Sequence, residues 1–402
     1  MNILDSNKIH ECTSCQACAL LCTKNAISFS LDNEGFYRPI VDNSKCVDCG
    51  ACKKVCYKYA EIEPFIFDEH ICHYAVVAKD QNILQATTSG GIGDVICEQL
   101  IKDGYICVGV AYDYEADIAI GKIAKTREET YSFRGSKYIQ AYSYPAFQQI
   151  LSSAKSQKIA FFGTPCQIFA LDTYLKRKKI REHCILIDFY CHGCPSMLLW
   201  KKYINNVKEA TQIKNFDYIN FRDKSYGWGR YHIKAKYKSK TIYSSPKIND
   251  AFYTLFFSNQ LLNNACFNCE IRNSLNYCDL RMGDFWGKHY LRNTSGMSLI
   301  SINPVSNRGK KLFEAIKTRV ASQKHNSQDC IPYQSINKTY IIDRILRAKL
   351  IQSLSDKNAP LSDCTSILWD SYSFKQKCYH VIKNIVLLMP NSIIAYIKSL
   401  RS

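Results

Sequence analysis

KIAFFGTPCQIFALDTYLKRK, residues 158–178, carries a strand, a turn and a helix in one short run. The apolar stretch KIAFF reads as a buried strand ending at Gly163. Thr164 then stands as an N-cap and Pro165 as the first helical residue. A helix N-terminus thus offers free amides at the end of a strand, where α/β sheets bind anionic groups. CILIDFYCHGCPS, residues 184–196, repeats the arrangement, again with a proline opening a helix. A right-handed crossover between the two strands sets them side by side or nearly so, with their following loops on one edge.

The same alternation extends in both directions. HYAVVAKD (73–80) and YICVGVAYD (105–113) read as strands, and SGGIGDVICEQLIKDG (89–104) as a helix closed by glycine. SYPAFQQILSSAKSQ and PSMLLWKKYINNVKEA continue as helices. This is an α/β signature and predicts a largely parallel sheet. After residue 213 the pattern loosens into short strands, a hairpin around 231–244 and an apolar helix near 250–263, with CFNC (266–269) directly after it. GMSLISINPVSNRGKKLFEAI (296–316) returns to strand, turn and helix, and only helices are expected beyond about 325.

Of 402 residues, 47% are apolar, enough for a sizeable core, and 21 are cysteine. The first forty residues show no apolar run with a cleavage site, so export is not expected, and cytoplasmic thiols bound to metal are the better reading. Formal charge is +18, from 53 basic and 35 acidic residues. Thiolate-bound metal sites with a net negative charge would lower this balance. KRKKIR (176–181) and KAKYKSK (234–240) then read as solvated faces, or as docking sites for an acidic redox partner or an anionic coenzyme. The 27 tyrosines are dispersed, with no basic stripe of stacking aromatics, so no nucleic acid is expected. No window is long and apolar enough to span a membrane. NIVLLMPNSIIAYIKSL (384–400) is expected to be a C-terminal helix docked on the domain rather than one lying on a membrane.

Near the start, CTSCQACALLC (12–22) and CVDCGACKKVC (46–56) share the form C-x2-C-x2-C-x3-C. Three thiolates at this spacing wrap one cubane, and the fourth serves the other cube in two-cluster ferredoxins. Cys12, Cys15, Cys18 and Cys56 are therefore assigned to one [4Fe-4S] cluster, and Cys46, Cys49, Cys52 and Cys22 to a second. Zinc is the rival reading of C-x2-C pairs, and two identical triplet-plus-one blocks disfavour it. The proline usual after the fourth cysteine is replaced by Thr23 and Tyr57.

Further along, Cys166 and Cys191 end adjacent strands and can meet; with Cys266 and Cys269 they make four, the number a third [4Fe-4S] cluster needs. Cys194 competes for a place. Cys72, Cys97, Cys107, Cys184, Cys278, Cys330, Cys364 and Cys378 read as small apolar side chains.

TTSGG (87–91), FRGSKYIQ (133–140), FFGTPCQ (161–167), DFYCHGCPS (188–196), CFNC, and DLRMGDFWG (279–287) followed by GMSLI (296–300) stand in an order that resembles the coenzyme F420 hydrogenase/dehydrogenase beta subunits. The likeness runs over about residues 10–320 and extends to bacterial homologues among surface-polysaccharide genes. It departs at Arg292, Asn293 and Thr294, where many members carry an acidic residue, and at Cys194.

The resemblance implies a two-cluster ferredoxin domain at 1–63, the family's N-terminal region at 64–150, its C-terminal region at 151–325 and a helical extension at 326–402. The implied fold is a ferredoxin unit followed by an α/β flavin-binding domain, and the implied cofactor is FAD. Flavin contact is expected from Ser89, Gly90 and Gly91, from Ser136 and Lys137, and from Thr164 and Gln167. His192 and Lys137 are the candidates for proton transfer or anion binding. The implied activity is an iron–sulfur flavoprotein oxidoreductase joining a redox partner protein to a small-molecule hydride donor or acceptor. Its rivals are a non-catalytic electron-transfer subunit of a larger complex and a reductase of polysaccharide biosynthesis.

Overall fold

The structure is a computed structural model and describes residues 2–4, 7–63, 71–336, 338–389 and 393. The connection expected at 61–69 lies outside the described residues from 64 onward. Between the two cysteine blocks, β1 (Ile27–Leu31) pairs antiparallel with β2 (Tyr37–Val41), a hairpin the sequence reading did not anticipate.

The strands that follow are β3 (Cys72–Ala78), β4 (Tyr105–Asp113), β5 (Ile118–Ala124), β6 (Ala141–Tyr142), β7 (Lys158–Phe162), β8 (Cys184–Phe189), β9 (Tyr218–Asp223), β10 (His232–Tyr237), β11 (Lys240–Pro246), β12 (Leu280–Asp284), β13 (Ser298–Ile302) and β14 (Val320–His325). The helices are α1 (Gln81–Ala86), α2 (Ile92–Lys102), α3 (Tyr144–Leu151), α4 (Pro165–Arg177), α5 (Met197–Thr211), α6 (Ala251–Phe257), α7 (Asn307–Ile316), α8 (Ser327–Cys330), α9 (Arg344–Ser355), α10 (Leu361–Ser371) and α11 (Phe374–Leu388).

Nine strands form one sheet in the order β14-β3-β13-β12-β8-β7-β4-β5-β6. Its centre, β12-β8-β7-β4, is parallel, as the strand–helix alternation predicts. The flanks turn antiparallel, through β13, β3 and β14 on one side and β5 on the other. The expected adjacency of β7 and β8 holds, with Ile159 opposite Cys184 and Phe162 opposite Ile187.

Both faces of this centre are covered, which is why its strands read as unbroken apolar runs. On β8, Cys184 and Leu186 pack with α3 and α4, while Ile185 and Ile187 pack with α2 and α7. A three-stranded sheet, β11-β10-β9, adds a third core with α5, α6, α9 and α10 around the buried Trp200, Phe221, Phe252 and Phe256. Leu350, Leu354, Leu361 and Leu368 of α9 and α10 close that core.

With that side occupied, α11 is left with Val381, Ile382, Ile385 and Leu388 about half exposed or more. This differs from the docked C-terminal helix expected, most of which lies outside the described residues. No helix among the described residues is long and apolar enough to cross a membrane. KRKKIR also departs from a purely solvated face, because Arg181 is drawn in between Asp172 at 2.7 Å and Asp279 at 3.0 Å.

The ferredoxin unit is fastened to the sheet edge by polar clamps. Gln16 accepts from the amides of Ser143 (2.8 Å) and Tyr144 (2.9 Å) and donates to Ala141 O (3.0 Å). Gly35, at φ +80°, carries the tightest contact: a Cβ there would lie 2.6 Å from Ser196 Oγ and 2.8 Å from the Leu198 amide. Its carbonyl accepts from the Met197 amide that begins α5, at 2.9 Å.

Candidate functional site

Within the ferredoxin unit the two cysteine loops adopt the same backbone. Ser14 and Gln16 in the first block, and Asp48 and Gly50 in the second, are all left-handed, so each loop curls around a common centre. One hollow is lined by Cys12, Cys15, Cys18 and Cys56, and another by Cys22, Cys46, Cys49 and Cys52. The exchange of the fourth cysteine between blocks, read from the spacing, is thus the grouping the fold produces. Backbone amides point at sulfur as a cluster requires, Ser14 N to Cys12 Sγ at 3.4 Å and Ala26 N to Cys22 Sγ at 3.3 Å.

The sheet edge gathers a second set of thiols. Burial and then the charge of Cys15, Cys269 and Cys191 raise Cys166. Burial, with the charge of Cys191 and Cys269 next, pushes Cys266 up to about 12. Cys194 is raised by burial and by Cys266, Cys191 and Cys166. Cys166, Cys191, Cys266 and Cys269 thus act on one another electrostatically, and Cys194 does so with them. Cys166 also lies within electrostatic reach of Cys15, which lines the hollow shared by Cys12, Cys18 and Cys56.

Three observations bear on whether this set suits an anionic cluster. Arg272 is buried beside it, close enough for Cys191, Cys269 and Cys266 to raise its pKa against the effect of burial. Tyr57, standing where ferredoxins usually have proline, is 4% exposed, and its hydroxyl has no partner among the described residues. Burial first, then the charge of Cys269, Cys166, Cys266 and Cys56, pushes that hydroxyl's pKa up, which puts it between the two thiol sets. A cubane held by these thiols would offer its sulfur atoms as acceptors to that hydroxyl. The donor set fits the group.

Arg281 ties the loops of this set together. It is fully buried and bidentate to Asp188, two residues before Tyr190 and three before Cys191, at 2.7 and 2.6 Å. It also donates to the carbonyls of Arg272 and Ser274, each at 2.7 Å, on the segment after CFNC.

The residues expected to contact a flavin divide into two groups. Ser136 N reaches Thr88 Oγ1 at 3.2 Å, which joins the Ser89–Gly91 turn to the 134–137 segment. Gly90 is required by packing, since a Cβ would sit 2.3 Å from Val76 O and 2.7 Å from Ser298 N, both backbone atoms. Gly90→Ala is expected to cost about 1–3 kcal/mol, read as a lowered thermal midpoint. Thr164 and Gln167 instead form a capping box on α4, and Gln167 donates to Ser143 Oγ at 3.3 Å, towards the ferredoxin junction.

Lys137 and His192 differ from their expected roles. The Lys137 ammonium donates to the carbonyls of Val110 (2.9 Å), Ser132 (3.0 Å) and Arg134 (3.0 Å), and burial pushes its pKa down to about 7. All three of its hydrogens are committed to shaping the loop. His192 Nε2 donates to Asn259 Oδ1 at 2.7 Å, which leaves Nδ1 to accept from the Tyr340 hydroxyl at 3.2 Å. With both nitrogens held, the ring positions the loop that carries Cys191 and Cys194.

Sequence reading missed a basic and aromatic group on the three-stranded sheet. Arg222 of β9 bonds Asp284 of β12, whose other oxygen accepts from Trp228 Nε1 at 2.8 Å. Trp228 stacks on Trp286 at 4.5 Å between centroids. Lys224 donates to Ser89 O and Ser295 O, both at 2.6 Å, and so reaches the turn expected to meet the flavin. The segment INFRDKSYGWGR carried the signal, in alternating basic and aromatic residues, but lies where the strand–helix pattern loosens.

Residues 11–60 match the 4Fe-4S dicluster domain, and residues 156–328 match the family described as the C terminus of the coenzyme F420 hydrogenase/dehydrogenase beta subunit. No curated protein matches the chain in sequence. Among solved structures, a chain of the F420-reducing [NiFe] hydrogenase complex from Methanosarcina barkeri is similar over 77% of this chain and 97% of its own, at 15% identity and a TM-score of 0.46. The chain thus carries a segment similar to a 4Fe-4S dicluster domain and, after it, a segment similar to the C terminus of the coenzyme F420 hydrogenase/dehydrogenase beta subunit.

Proposed function

We propose that this protein is an iron–sulfur flavoprotein oxidoreductase that exchanges electrons with a redox partner protein and a hydride equivalent with a small molecule. The observation that carries the reading is the proximity of Cys15, in the hollow lined by Cys12, Cys18 and Cys56, to Cys166, in the thiol set at the sheet edge. It supports a continuous route from the dicluster domain to the end of the parallel strands. Cys12, Cys15, Cys18 and Cys56 hold one cluster, Cys22, Cys46, Cys49 and Cys52 the second, and Cys166, Cys191, Cys266 and Cys269 a third.

The Ser89–Gly91 turn and the Ser136–Lys137 loop are the flavin contacts, chiefly through backbone, because Lys137 is internally bonded. A bound FAD supplies the conversion between single electrons and hydride that clusters lack. The chain's own residues bury the thiols, set cations beside them and keep His192 fixed.

Anaerobically reconstituted protein should hold about 12 iron atoms and one FAD per chain. Stopped-flow mixing with reduced ferredoxin, reduced coenzyme F420 and NADPH then reads which donor reduces the flavin. Iron near 8 removes the third cluster, and absence of FAD removes the mechanism. The exposed apolar face of α11 favours a second reading, an electron-transfer subunit docked on a larger enzyme. Failure of all three donors to reduce a bound flavin selects that reading.

A further inference from the structure

Arg222 is 3% exposed, yet its Nε and Nη2 have no partner among the described residues. Its remaining contacts are on the other nitrogen: Nη1 bonds Asp284 and, at 3.2 Å, the Tyr138 hydroxyl. Nε and Nη2 are adjacent along one edge of the guanidinium, the edge that grips two oxygens of an oxyanion. A buried guanidinium edge with no protein partner is costly to leave unbonded, so it points to a ligand rather than to packing.

The surrounding charge points the same way. The Arg222 guanidinium lies 4.4 Å over the Tyr231 ring, and the Lys247 ammonium lies 4.7 Å from the same ring with no hydrogen-bond or ion-pair partner among the described residues. Burial, then the charge of Arg222, pushes both Lys224 and Lys247 down to about 8. Asp284 acts on both lysines in the opposite direction. Arg222, Lys224 and Lys247 thus outnumber the carboxylate they share, and the surplus positive charge suits an anion. Arg230, on the turn that carries Trp228, leaves the same Nε and Nη2 edge open.

We infer that Arg222, Lys224 and Lys247 form a phosphate-binding site, set against the Ser89 turn, that holds a phosphate ester or diphosphate through the Nε–Nη2 edge of Arg222. The inference deepens the flavoprotein reading and rests on it for its place beside the flavin. Two sources share this chemistry, the diphosphate of the flavin itself and a phosphate group on the substrate.

The test is titration of the full-length protein with inorganic pyrophosphate by calorimetry, in flavin-free and flavin-loaded forms. Binding to the flavin-free form alone assigns the site to the cofactor's diphosphate. Binding to both assigns it to the substrate's phosphate. In either case Lys247→Met and Arg222→Lys should each weaken pyrophosphate at least about tenfold, the loss of one charge-assisted hydrogen bond. Lys247→Met breaks no bond of the fold, and the dicluster absorbance provides a check that it is folded. Absence of pyrophosphate binding in both forms, or native affinity in both variants, overturns the inference. If the protein takes up no FAD at all yet binds pyrophosphate with this mutational pattern, the phosphate site stands and the flavin reading falls.

Discussion

Cys266→Ala is expected to lower iron from about 12 to about 8 atoms per chain, while Cys194→Ala leaves it at about 12. The contrast follows from placement. Cys266 lies among Cys191 and Cys269 with Arg272 beside them, whereas Cys194 is a fifth thiol for a group that takes four. Metal analysis of anaerobically prepared protein reads the count, and low-temperature EPR of the dithionite-reduced protein reads which signal is lost. The dicluster signal should persist in both variants, because its eight cysteines line separate cavities. Iron unchanged in Cys266→Ala, or lost in Cys194→Ala, would reassign the ligand set.

Arg281→Met is expected to destabilise the fold by about 3–5 kcal/mol, the cost of leaving a buried partner charge uncompensated. Asp188 is 2% exposed and loses both of its 2.6–2.7 Å bonds, and the carbonyls of Arg272 and Ser274 lose their donor. At roughly 2–4 °C per kcal/mol for a large domain, the thermal midpoint should fall by about 10 °C. The damage is local to the strand end and loop that carry Cys191 towards Cys266 and Cys269, so the proposed third iron site should empty before the dicluster does. The double variant Arg281→Met, Asp188→Leu tests the cause. It removes the stranded charge and should recover much of the lost stability.

Much of this architecture was legible because local chemistry dictates it. The duplicated C-x2-C-x2-C-x3-C blocks state their ligand count, and Gly50 and Gln16 reach the left-handed turns that such loops need. β7 and α4 follow from one apolar run, one N-cap and one proline. The antiparallel flank of β13, β3 and β14 was not legible, since strand direction there depends on partners that lie more than two hundred residues apart in sequence.

Site roles divided along the same line. Lys137 and His192 look chemically available as residue types, but three carbonyls around one and two polar partners on the other occupy them. Arg222 and Lys247 look like ordinary surface cations in the sequence. Only the fold brings them over one Tyr231 ring and buries the open edge of Arg222.

By itself, then, the sequence determined the residue types, the ligand spacing and the strand–helix rhythm, all of which act over a few residues. The tertiary structure decided which groups remain free to meet a ligand. That outcome depends on desolvation and on partners contributed by distant strands, as when Asp284 and Tyr138 hold one side of Arg222 and leave the other bare.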